Sequence, residues 1–264
     1  MSEKLLTVMQ DNAITRSSFS MSALQLDVFF NVLKQIRVET NNQHIYQINV
    51  RDVVDLERAK VTNYSALRIA TKDLLSKIFE IPQANGDIIQ SGLISSAVYQ
   101  KGSGRILIQV SDAMKPYLVD VAKNTTRYYF ELAIKLKSVY AKRFYQFIAQ
   151  WRVAGSWTVS IDELKKRLQL QERYPNYFDF KKCVIEVARV ELLQLADVYF
   201  IYEEIKTGKR VTDLKIIIQT KKGSPNDPTI GDEPKVIDLA SELHPFEPTH
   251  LRDILIKEFC LSEW

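Results

Sequence analysis

The 264-residue chain is 46% hydrophobic and 26% charged, which excludes a disordered or fibrous protein and leaves length for two ordinary domains. No stretch approaches the ~18–20 apolar residues of a membrane span, and the Met-Ser-Glu-Lys start runs into polar residues rather than an export signal. The net charge of +4 is unevenly placed: residues 221–264 hold five Lys/Arg against nine Asp/Glu, which leaves 31 of the 36 basic and 23 of the 32 acidic residues before them.

The chain opens with a helix on which Leu26, Phe29, Phe30, Leu33 and Ile36 share one face. An alternating strand, Tyr46, Ile48 and Val50, precedes a brief helix over Asp52–Glu57. The next helix spans Asn63–Phe79, capped by Asn63 or Ser65. Ile88–Tyr99 and Ile106–Val110 read as strands around the turn Lys101-Gly102-Ser103-Gly104, and Ser111 or Asp112 caps a helix to Ala122. After a polar break at Lys123-Asn124-Thr125-Thr126, Tyr129–Trp151 is helical with an interruption near Lys137-Ser138. Trp157-Thr158-Val159 is a short strand, Ser160 caps a helix to Leu168, and Tyr177–Leu195 is a long helix. Val198–Tyr202 and Leu214–Gln219 flank the turn Lys206-Thr207-Gly208-Lys209. Each half therefore reads helix, strand, short helix, long helix, β-hairpin, which is the winged-helix order. The expected class is α+β: two tandem winged helices, residues 1–123 and 128–222, then a tail at 223–264. That tail holds a proline-rich acidic linker and a short amphipathic helix (Leu251, Ile254, Leu255, Phe259) capped by Thr249.

A basic body with an acidic tail fits a polyanion partner, although a merely solvated surface has the same composition. On the first long helix, Leu67, Ala70, Leu74 and Ile78 fall together while Ser65, Arg68, Lys72 and Ser76 fall opposite. An arginine there can pair with guanine and a lysine can meet phosphate. On the second, Phe180, Val184, Val187, Ala188 and Leu195 share a face; Lys182 and Arg189 point away and Lys181 lies on the flank. Glu191 lands on the apolar side, so it needs backbone donors or a cationic partner. Lys135–Arg152 carries five cations and no acid, and its aromatics Tyr140, Phe144, Phe147 and Trp151 read as core. The second turn adds Lys206, Lys209 and Arg210 for the phosphate backbone.

Several strings resemble the initiator Rep proteins of theta-replicating, iteron-containing plasmids. They are DNAIT, GLISSAVYQKGSGRILIQVSDAMKPYL, LKSVYAKRFYQFIAQW, WTVSIDELKKRL, YPNYFDFKKCVIEVARVEL and YEEIKTGKRVTDLKIII, in that order over residues 10–220. A departure is Glu191-Leu192-Leu193, where members more often read Glu-Ile-Asn. The resemblance implies monomers that bind direct repeats in double-stranded origin DNA with both winged helices. It also implies dimers formed largely through the first domain that act as repressors, and recruitment of host replication proteins. By position it makes Lys181, Lys182 and Arg189 groove readers or their neighbours. It makes Ser138, Lys142, Arg143, Lys209 and Arg210 phosphate contacts; Lys137 joins the DNA-binding candidates from the acid-free basic run Lys135–Arg152. Arg68 and Lys72 take the corresponding part in the first domain.

Other classes are weaker. A tyrosine nickase needs a metal-binding histidine pair, and His44, His244 and His250 form none. There is no GxxxxGK[ST], no GxGxxG and no zinc-like Cys/His spacing, so no enzyme, metal or cofactor is expected. Cys183 and Cys260 read as reduced thiols of a cytoplasmic protein rather than as one bridge. A winged-helix transcriptional regulator remains the nearest alternative, and the tail stripe suits docking on the second domain or on a partner.

Overall fold

The computed structural model describes residues 5–38, 44–53, 63–83, 85–119, 121 and 125–224. Strand β1 (Thr7–Asp11) ends on an aspartate whose carboxylate accepts the Ala13 amide at 2.7 Å and starts α1 (Asn12–Arg16). Helix α2 (Ala23–Val38) buries Leu26, Phe29, Phe30 and Leu33 completely, as its periodicity requires, with Ile36 half-buried against them. Then come β2 (Ile45–Asn49), α3 (Val50–Val53) and α4 (Asn63–Ser76). The remainder of the brief helix expected after Asp52 lies outside the described residues. A hairpin of β3 (Ile78–Pro82) and β4 (Ile88–Gly92) precedes β5 (Ile94–Gln100) and β6 (Arg105–Val110). A 3₁₀ turn at Asp112–Met114 leads to α5 (Lys115–Leu118) and β7 (Thr125–Tyr129).

The second half runs α6 (Phe130–Lys135), α7 (Val139–Gln150), β8 (Ser156–Ser160) and α8 (Ile161–Leu168). A long helix follows, made of α9 (Tyr177–Phe180), a π-helical turn at Lys181–Ile185 and α10 (Glu186–Leu195). The chain's last described strands are β9 (Val198–Thr207) and β10 (Arg210–Thr220). The antiparallel sheets are ordered β2-β6-β5 in the first half and β8-β10-β9 in the second, with the same connectivity. Each half thus places helix, strand, helix, helix and hairpin alike: two tandem winged helices. Both hairpin turns use left-handed glycines, Gly102 and Gly104 in the first and Gly208 in the second.

Four sequence expectations change. The first long helix stops at Ser76, because Ile78–Pro82 pairs with Ile88–Gly92 and sends Phe79 onto Phe19 at 4.5 Å; Ile78 is 51% exposed, outside the helix stripe. The strand expected at Ile88–Tyr99 is two, since β4 pairs with β3 while β5 pairs with β6. Ser111 does not cap a helix; its hydroxyl donates to the Gly92 carbonyl and α5 ends at Leu118. The polar stretch at Thr125-Thr126 is no surface break either: it begins β7, paired with β1 from Thr7↔Tyr129 to Asp11↔Thr125, and Thr126 is buried.

A fifth change matters most for function. Helix α7 is sunk between the halves, with every residue from Ala141 to Ile148 buried. Lys142, expected on phosphate, is fully buried: its ammonium donates to Asp27 of α2 at 2.5 Å and to the Ala133 carbonyl at 2.9 Å. Arg143 is also buried, lying over Phe19 (3.9 Å) and Phe147 (4.7 Å) and donating to Gln146 and to the Thr15 and Ser17 carbonyls. Neither side chain reaches the surface, so neither serves as a phosphate contact in this arrangement. Gln146 donates to Gln10 and to the Tyr128 hydroxyl, and Thr15 bonds to Thr126 at 2.7 Å. Burial pushes the Asp27 carboxyl up to about 6 against the pull of Lys142, and the same burial lowers Lys142.

Removing one partner of such a pair leaves an uncompensated charge. Lys142→Ala is expected to lower stability by about 3–5 kcal/mol. The check is a shift in urea midpoint, and replacing both members by apolar residues (Lys142→Met with Asp27→Leu) should recover most of it.

Candidate nucleic-acid interface

In the second half, Ser160 caps α8 by accepting the Glu163 amide at 3.1 Å. The helix ends with Gln169 in the left-handed region (φ 53°), where Leu170 N–H turns back to the Lys165 carbonyl. Asn176 restarts the chain as a cap, accepting from the Asp179 amide at 2.8 Å. These two caps make the turn of the helix-turn-helix. The long helix then buries Phe180, Val184, Val187, Ala188 and Leu192. A π turn spends an extra residue, so a stripe counted at 100° per residue loses phase: Leu195, expected on the apolar face, is 39% exposed and Leu192 takes the core.

Lys181, Lys182 and Arg189 all reach solvent from this helix. Lys181 and Arg189 line an open groove of about 450 Å³ with Glu186, Ile201, Tyr202 and Glu204. Lys181 pairs with Glu204 at 2.8 Å, and Arg189 with Glu186 at 2.7 Å. Lys182 has no carboxylate within ion-pair reach among the described residues. The wing hairpin carries Lys206, Lys209 and Arg210, all exposed, around its Gly208 turn.

Lys137 and Ser138 sit at the start of α7. Ser138 caps it, its hydroxyl accepting the Tyr140 amide at 3.1 Å. The amides of Lys137 and Ser138 both donate to the Glu191 carboxylate, the latter at 3.0 Å. Glu191 thus finds backbone donors, as its place on the apolar side demanded. Burial raises its carboxyl against those bonds. It ties the base of the long helix to the start of α7, leaving the Lys137 side chain exposed.

In the first half, Leu67, Ala70 and Leu74 of α4 are buried while Ser65, Arg68 and Lys72 are exposed. These three share an open groove of about 340 Å³ with Tyr64 and Ile69, the latter 68% exposed. Thr71 bonds the Tyr99 hydroxyl at 2.6 Å, and Tyr64 packs edge-on against the Tyr99 ring at 5.4 Å, so α4 is braced on its wing strand. Lys101 and Arg105, exposed at the ends of the first wing turn, are two cations that the sequence reading passed over. Their signal was available: they flank a glycine turn as Lys206 and Lys209 flank theirs.

Every group here except Lys142 and Arg143 is on an exposed recognition helix, helix start or wing. Glu191→Ala would strand two amides; it is expected to cost about 1–3 kcal/mol in a thermal or urea melt, with Glu191→Gln recovering part of the loss.

A family model described as "Initiator Replication protein, WH1" matches residues 7–149, and one described as "Initiator Rep protein, WH2" matches residues 160–218. Among solved structures, the Pi initiator protein in complex with iteron DNA aligns with a TM-score of 0.67 at 16% identity, covering 83% of this chain and 99% of that one. The MSBI1.176 WH1 domain, a replication protein isolated from a multiple sclerosis patient, aligns at 0.30 and 17% identity over 36% of this chain and 79% of its own. Domains 2 and 3 of RctB align at 0.41 and 12% identity, covering 75% and 80%. No curated protein sequence matches the chain. The WH1 model alone spans more than half of the 264 residues, and on that match the chain belongs to the initiator replication protein family.

Proposed function

We propose that this DNA-binding replication initiator acts at a plasmid origin by binding direct repeats in duplex DNA. Each winged helix presents one recognition helix to a major groove and one wing to the adjoining phosphates. The observation that carries the reading is the repetition itself. Two helices with a buried apolar face and cations that reach solvent (Arg68 and Lys72, exposed; Lys181, Lys182 and Arg189, half-buried) are each followed by a hairpin with cations at its turn. The arginines and Lys182 read or flank base edges, whereas Lys137, Ser138, Lys206, Lys209 and Arg210 position the backbone. The solved structure with iteron DNA, similar in fold over most of this chain, supports the same use of tandem winged helices here. The protein works by binding rather than catalysis, in the cytoplasm, with autoregulation by dimers that join through the first domain and with host replication proteins as further partners. Among the described residues, no helix is long and apolar enough to cross a membrane.

The test is a binding titration on DNA flanking the protein's own gene, with repeat-containing and scrambled duplexes. If roughly 6–10 phosphates are neutralised, affinity falls about 10³–10⁵-fold between about 50 and 200 mM salt. Lys182→Ala should weaken binding with an unchanged melting temperature, and Lys209→Ala should weaken all sequences alike and reduce the salt slope by about 1. Equal affinity for repeat and scrambled duplexes would overturn the reading.

A further inference from the structure

The groove beside the second recognition helix contains an arrangement that duplex binding by itself does not call for. Its two cations are each neutralised by a carboxylate, and both carboxylates are fixed from the opposite wall. Glu186 stands on the helix; one of its oxygens takes Arg189 through Nε at 2.8 Å and a terminal guanidinium nitrogen at 2.7 Å, and the other accepts the hydroxyl of Tyr202, on β9, at 2.5 Å. Glu204 stands on β9; it accepts Lys181 at 2.8 Å and the hydroxyl of Tyr177, on the helix, at 2.8 Å. The lacing is reciprocal: a strand tyrosine holds the helix glutamate and a helix tyrosine holds the strand glutamate. The four charged side chains are only 20–39% exposed, so these are not the loose pairs of an open surface. The hydrogen bond from Lys181 holds the Glu204 carboxyl below the usual range, which keeps it ionised at neutral pH.

A bare cluster of lysine and arginine grips any phosphate. Here a DNA strand entering the groove meets two anchored negative charges, and each cation must exchange a carboxylate for its new partner. We propose that Glu186 and Glu204 are specificity-setting residues: they oppose capture of arbitrary duplex by Lys181 and Arg189, and release those cations only where the rest of the interface matches the DNA. Repulsion of the wrong partner is as effective a source of discrimination as attraction to the right one. Lys182, without such a carboxylate among the described residues, attracts DNA with no neighbouring charge to oppose it. The inference rests on the reading of this groove as a DNA-facing surface.

The experiment measures affinities of the full chain and of Glu186→Gln and Glu204→Gln for a repeat-containing duplex and a random duplex, across a salt series. Glutamine keeps the size while removing the charge; at position 204 its carbonyl oxygen can still accept both Lys181 and Tyr177, whereas at position 186 it retains an acceptor for only one of Tyr202 and Arg189. Affinity for random duplex should rise by about fivefold for each variant. The salt slope should steepen by up to about 0.9 for each cation released. Repeat affinity should rise less, so the ratio between the two duplexes falls. Lys181→Gln should then cost more random-duplex affinity in the Glu204→Gln background than in the natural chain, a coupling that a change in fold alone does not produce. A wild-type chain with no preference for repeats defeats the reading of the site. A wild-type preference that survives unchanged in both variants, with Lys181→Gln additive, defeats this inference alone. Loss of repeat binding in a variant that melts normally shows the carboxylate contacting DNA directly, and overturns it as well.

Discussion

A cation leaves water only if its partners come with it, and helix α7 takes two of them into the interior. Lys142 reaches Asp27 across 115 residues of sequence, and Arg143 reaches the carbonyls of Thr15 and Ser17 while its guanidinium lies over two phenyl rings. Gln146 continues the same seam to Gln10 and Tyr128. Around these polar links one apolar cluster runs without interruption from Val8 to Ile218, and Phe144 stacks on Phe200 of the second sheet at 5.1 Å. The register of one half against the other is therefore set by directional bonds inside an apolar core, where a slip of one turn would leave several buried groups unpaired.

That seam also decides where positive charge is free to act. The cations of α7 are consumed inside, so the positive charge that still reaches solvent includes that of α4, the later long helix, the wings and the exposed start of α7. The two recognition helices are not chemically alike. The groove on α4 combines Arg68 and Lys72 with Tyr64 and Ile69, whereas the groove on the later helix is rimmed by tyrosine-anchored carboxylates. Glu191 links the two levels of organisation: one carboxylate on the recognition helix holds the amides that begin the buried helix.

Features encoded within a turn or two of chain were legible in the sequence. The stripe of α2, the Ser160 cap and the two glycine turns each depend on neighbours a few residues away, and the order of elements around them was enough to yield tandem winged helices. Glu191 was legible for a different reason: a carboxylate on an apolar stripe has few ways to be satisfied. What depended on distant partners was not legible. A run of lysine and arginine without acids looks like a DNA face, and nothing local to Lys142 announces Asp27. Thr125 and Thr126 look like a surface break until β1 is known to lie beside them. The end of α4 needed the β3–β4 pairing, and the exposure of Leu195 follows a π turn that a fixed 100° step does not represent.

The pairing of β1 with β7 has a consequence for how the molecule is made. Thr7 emerges from the ribosome long before Tyr129, its partner, and the strands join only after the whole first winged helix has been synthesised. Until then β1 is an unpaired edge, and Gln10 and Thr15 lack the Tyr128 and Thr126 groups that satisfy them. The first winged helix is thus assembled like a purse whose drawstring is threaded last: its closure waits on the segment that begins the second half. A nascent chain halted before Thr125 contains the strands of the sheet β2-β6-β5 but not the partner of β1, and the residues of the seam that orients the two halves arrive late in synthesis.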